Sequence, residues 1–80
     1  MDAASVQALL EAHFENSKVQ VEGGGSHYLV SVISEAFAGQ PKVRRQQMVM
    51  AGVAAQFADG SIHAFDRIVA LTPEEAGSEG

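Results

Sequence analysis

The sequence predicts one small α+β domain in the order helix, strand, strand, helix, strand, a three-stranded mixed sheet with its helices packed on one face. Three observations carry that prediction. Apolar residues over 3–14 and 42–58 recur at helical spacing. Residues 18–22 alternate strictly and 27–34 are rich in aromatic and β-branched types, on either side of a glycine-rich turn. A length of 80 residues leaves room for a single, thin core.

Taking the elements in order, Val6, Leu9, Leu10 and His13 set one face of the first helix, with Phe14 beside them. Asp2 or Ser5 offers its N-cap. His13 falls in the last turn, where a cation is favoured by the helix dipole, and is read as such rather than as a ligand. Asn16-Ser17 breaks the pattern. In Lys18–Glu22 the two valines point one way and Lys18, Gln20 and Glu22 the other, a half-buried strand. Gly23-Gly24-Gly25-Ser26 supplies the positive φ values of a tight hairpin. His27–Ser34 returns as the second strand, with Tyr28, Val30 and Val32 on one face.

Residues 35–41 form a connector whose Phe37 is expected to plug the core, and Pro41 suits the first position of a helix. One helix is expected from Lys42 to Ala58, burying Val43, Gln47, Met50, Val53 or Ala54, and Phe57, with Lys42, Arg44, Arg45 and Met48 off that stripe. Asp59-Gly60 ends it with a left-handed cap. Residues 62–71 read as the third strand, and Thr72-Pro73-Glu74-Glu75 as a cap on a short final turn. The domain is expected over residues 1–75, with 76–80 a flexible tail.

Composition excludes several function classes. No cysteine is present, so this chain has no thiol nucleophile, no CxxC redox pair and no thiolate ligand of its own. No apolar run approaches the roughly 20 residues of a membrane span, and no membrane association is expected. The N-terminus lacks the basic and apolar regions of a signal peptide, so a cytoplasmic location is expected. The formal charge of −5 argues against indiscriminate nucleic-acid binding. Setting aside Glu74, Glu75 and Glu79 leaves five basic against seven acidic groups, or −2. Lys42, Arg44 and Arg45 then stand as one local basic patch at a helix start, where cations oppose the dipole. No Ser–His–Asp set or facing carboxylate pair can be argued. Asp66 and Glu35 are single acids with no visible base partner, and the chain is not read as an enzyme. The glycine loop leads into a strand and lacks a GK[ST] ending, so it is read as a hairpin and not a phosphate cradle.

One geometric inference follows from topology. If the second and third strands are neighbours, the helix between them makes a β-α-β crossover and the strands run parallel. His27 begins one and His63 the other, so two imidazoles 36 residues apart could meet at one edge, beside the glycine loop. Most histidines near strand ends ligate nothing and sit half-exposed. Two imidazoles also make an incomplete site for zinc or an iron–sulfur cluster. The remaining ligands must come from elsewhere, and a partner is the obvious source.

Gly24-Gly25-Ser26-His27-Tyr28, Phe37-Ala38-Gly39, Val43-Arg44-Arg45-Gln46-Gln47-Met48-Val49, Ile62-His63-Ala64 and Thr72-Pro73-Glu74-Glu75 resemble, in that order and spacing, the BolA family. The match covers roughly residues 3–75, and the glycine loop ending in His27 resembles the branch whose loop ligand is His rather than Cys. The resemblance implies a fold similar to the class II KH domain. It also implies a monothiol glutaredoxin as partner and a bridging [2Fe–2S] cluster. The glutaredoxin and glutathione would supply thiolates, and His63 and His27 are the positions here that match the imidazole ligands. The sequence departs from the family pattern at Asp66, where a small polar residue is frequent, at Leu71, where an aromatic is, and at Ala76. Arg67 neighbours Asp66, but strict alternation points it to the opposite face.

The expected function is therefore an adaptor in iron–sulfur trafficking or iron sensing. The alternative is a transcriptional regulator that binds DNA through Lys42, Arg44 and Arg45, which the resemblance also allows. Against it stand the net charge, few aromatics for stacking and no GXXG loop between helices. A third reading has the basic patch dock an acidic partner while both histidines stand by.

Overall fold

Asp2 starts the fold: its Oδ1 accepts the backbone N–H of Ser5 at 2.8 Å, satisfying one of the free donors at the helix N-terminus. A computed structural model of the chain describes residues 1–79; Gly80 lies outside the described residues. From that cap the chain runs through α1 (Ala3–His13), β1 (Lys18–Gly24), β2 (His27–Ile33), a 3-10 turn (Glu35–Phe37), α2 (Lys42–Ala51), α3 (Ala54–Ala58), β3 (Ala64–Leu71) and α4 (Pro73–Glu79).

The sheet order is β1-β2-β3, with β1 antiparallel to β2 and β2 parallel to β3, the mixed sheet that the crossover argument requires. Alternation decides which face is covered. Val19, Val21, Tyr28, Val30 and Val32 are buried, while Lys18, Gln20, Glu22 and Leu29 between them are exposed. The buried face meets Val6 and Leu10 of α1, Phe37 and Val49, all fully buried. Phe37 stands 5.3 Å from the Phe14 ring, centroid to centroid, and plugs the core as its position in the connector predicts. Buried Tyr28 satisfies its hydroxyl by donating to the Met1 carbonyl at 2.7 Å.

Three expectations need correction. The helix over 42–58 is two helices. Gly52 caps α2, Val53 leaves helical geometry at φ −132°, and α3 begins at Ala54. Glycine is the weakest helix former after proline, and the break turns Val53 fully into the core. The buried stripe is consequently Val49 and Val53 with Met48 and Phe57 partly buried, whereas Val43 is 63% exposed. The third strand starts at Ala64, and Ile62 lies just before it, buried and donating to the Gln56 carbonyl at 3.1 Å. Finally, Thr72 caps a helix of seven residues, Pro73–Glu79, rather than a short turn.

Candidate functional site

The rim where β2 and β3 begin is built by the hairpin turn. Gly24 pairs with His27, leaving Gly25 and Ser26 as a two-residue loop with φ of 61° and 71°. Positive φ at both positions is the twist-compatible turn of a tight hairpin. Gly23 has φ 117°, and a Cβ there would stand 2.4 Å from the His27 carbonyl oxygen. Only glycine lets the two strands close at this point. The Ser26 carbonyl then accepts the N–H of His63 at 2.8 Å and of Ala64 at 3.2 Å, tying the turn to the first residues of the third strand. With Ile62 anchored in the core one residue earlier, His63 has little freedom of position.

The result is the convergence that topology predicts. The His27 and His63 rings lie with centroids 6.1 Å apart and planes 6° from parallel, both on exposed residues. Among the described residues no group of three or more His, Asp or Glu side chains is placed to hold a metal ion. The chain thus offers two neighbouring imidazole donors and does not complete a coordination sphere from its own described residues.

A third side chain belongs to the rim that sequence reasoning left without a partner. Asp66 Oδ1 lies 3.1 Å from His27 Nδ1. In the parallel ladder His27 faces Ala64 and Tyr28 faces Phe65, but Leu29 faces Arg67, so Asp66 is an inserted residue, a β-bulge. The bulge breaks alternation. Asp66 and Arg67 are both exposed, where strict alternation would put them on opposite faces. Once His27 is set opposite Ala64, residue 66 falls within a step of the same rim; that much was available from a parallel register.

The basic patch is not one surface. Lys42 and Arg44 are exposed at the start of α2. Arg45 is 13% exposed, and its guanidinium is committed within the fold. Its Nε donates to the Gln40 carbonyl at 2.7 Å, its Nη1 to the Ala70 carbonyl at 3.1 Å, and Nη1 and Nη2 grip Glu75 at 2.6 and 3.2 Å. Glu75 also accepts the Thr72 N–H at 2.8 Å, and its own N–H donates to Thr72 Oγ1 at 3.2 Å, the reciprocal cap of α4. The Arg45 hydrogen bond, followed by the Thr72 backbone, lowers the Glu75 carboxyl to about 2. Arg45 therefore joins α2, β3 and α4, and stands apart from Lys42 and Arg44 in role.

Comparison with known proteins gives this arrangement a family. The family model for BolA-like proteins matches residues 2–75. The acid stress protein IbaG of Escherichia coli K12 is 36% identical over 75 residues, covering 94% of this chain and 88% of IbaG. Among solved structures, a BolA homologue from Coxiella burnetii shares the fold with a TM-score of 0.83 at 24% identity, covering 96% of this chain and 97% of that one. The BolA domain of SufE1 from Arabidopsis thaliana superposes with a TM-score of 0.79 at 26% identity, over 91% of this chain and 93% of that domain. With the match spanning nearly all of the chain, the helix–hairpin–crossover protein described above is a member of the BolA-like family.

Proposed function

We propose that this chain is an adaptor that binds a monothiol glutaredoxin and contributes imidazole to a bridging [2Fe–2S] cluster. The observation that carries the reading is the pair of exposed, parallel imidazoles 6.1 Å apart at one rim. An iron–sulfur cluster needs four protein or thiol ligands, and this chain has no cysteine. Its donor set therefore fits one side of a shared centre, with the thiolates supplied by the glutaredoxin cysteine and glutathione. When bound, the cluster supplies one-electron chemistry and a transferable iron–sulfur unit.

The chain's own contribution is positional. The Gly25-Ser26 turn holds His27, and the Ser26 carbonyl with buried Ile62 holds His63. Neutral imidazole in place of thiolate removes negative charge from the centre and raises its reduction potential relative to an all-thiolate cluster. The role is that of a docking protein, not a catalyst.

The test is to mix the chain with cluster-loaded monothiol glutaredoxin and glutathione and record visible absorption and circular dichroism. A new spectrum that reverts in His63→Ala, and changes in His27→Ala, is expected. A spectrum indifferent to both substitutions contradicts the reading. Duplex DNA binding is less well supported, because Arg45 is engaged inside the fold and only Lys42 and Arg44 remain of the patch.

A further inference from the structure

We infer that Asp66 is a positioning residue, which holds His27 as the Nδ1–H tautomer and leaves Nε2 as its free donor atom. The use of that atom rests on the ligand reading above; the geometry does not. A carboxylate carries lone pairs and no proton, so across the 3.1 Å contact it accepts and His27 Nδ1 donates. In a neutral imidazole the hydrogen on one nitrogen dictates a lone pair on the other. Nε2 is then the only ring atom of His27 able to bind a metal or accept a proton.

The contact is exposed, with His27 and Asp66 at 55% and 54%, so water competes for both groups. The backbone is what keeps them together. His27 is fixed by the two-residue turn and Asp66 by the bulge that inserts it opposite the Tyr28–Leu29 step. The bulge also keeps Phe65 before it and Ile68 and Ala70 after it packed against the core, and the inserted residue is the one that reaches the ring. Carboxylates that accept the far N–H of a ligating imidazole fix its orientation and increase its basicity.

Asp66 also makes the two imidazoles unequal. His63 lies parallel to His27, yet among the described residues its ring has no carboxylate partner. The effect of losing Asp66 is therefore expected at His27 alone.

The apo protein provides a test independent of any cluster. Long-range proton–nitrogen correlation NMR in alkaline buffer distinguishes the two ring nitrogens of each histidine. In the native chain His27 is expected with a protonated, pyrrole-like Nδ1 and a pyridine-like Nε2. Asp66→Ala is expected to lose that majority form while His63 keeps its own pattern. Asp66→Asn, whose amide oxygen can accept the same hydrogen, is expected to retain it. His27 found as Nε2–H in the native chain, or unchanged in Asp66→Ala, overturns the inference. Thermal unfolding checks that both variants remain folded.

The second arm uses the complex with cluster-loaded monothiol glutaredoxin and glutathione. Asp66→Ala is expected to weaken cluster retention by about 10-fold or more, and Asp66→Asn by much less. If the NMR result holds while both His27→Ala and Asp66→Ala retain the cluster as the native chain does, positioning stands and the ligand reading of His27 falls. If the NMR result fails while His27→Ala disrupts the complex, the reverse holds.

Discussion

At Gly23 a single methyl group decides whether the hairpin can close. Its φ of 117° and the 2.4 Å that would separate an alanine Cβ from the His27 carbonyl oxygen leave no room for a side chain. Gly23→Ala is expected to destabilise the fold by about 1–3 kcal/mol, read by urea unfolding, and to disturb the His27 ring resonances. Full stability in that variant would contradict the close approach. The glycine run is legible in sequence as a turn, but its division of labour is not. Gly25 with Ser26 makes the turn, whereas Gly23 makes space two residues earlier in the strand. Asp66 is harder still to place. No glycine or proline marks the bulge in Ala64–Leu71, so strict alternation is the only guide, and it fails at this one residue.

Among the elements, α4 carries the clearest dependence on pH. Thr72-Pro73-Glu74-Glu75 is a capping box readable from sequence. Its junction with Arg45, 30 residues earlier, is a tertiary contact that no local pattern records. The Glu75 carboxyl falls from an ordinary 4.5 to about 2 on folding, first through Arg45. A depressed value means stabilisation that is fully present above pH 4.5 and lost as pH falls through 4.5 toward 2. Glu75→Gln is therefore expected to be less stable than the native chain at neutral pH, with the gap closing across that acid window. Denaturant midpoints at several pH values measure it, and a gap constant down to pH 2 would contradict the assignment. The split between α2 and α3 is half legible. Gly52 is visible as a weak point, but the choice to break there follows from what it packs against. The His13 ring of α1 would stand 3.0 Å from a Cβ at that position, and Val53 turns into the core beside it.

For the molecule as a whole, few residues separate folded from unfolded. A chain of 80 residues at about 0.05–0.15 kcal/mol per residue holds about 4–12 kcal/mol of stability. Phe37 is fully buried against Phe14, and truncating such a ring costs about 3–5 kcal/mol. Phe37→Ala is expected to lower the unfolding midpoint by that fraction of the total, and a variant of unchanged midpoint would place the core elsewhere. Charge also acts at this scale. With Arg45 held by Glu75, duplex binding through Lys42 and Arg44 alone would follow a salt slope of about −2. The whole-chain arrangement is the most legible part of the sequence, because the periods of 2 and 3.6 and the long crossover permit few topologies. That topology is what brings His27 and His63 to one rim.

The most direct measurement is pulsed electron paramagnetic resonance on the reduced complex with monothiol glutaredoxin and glutathione, using protein labelled with nitrogen-15 at its histidines. A strongly coupled nitrogen that disappears in His63→Ala is the predicted result. A paramagnetic cluster in the native complex with no histidine nitrogen coupled to it would contradict the account.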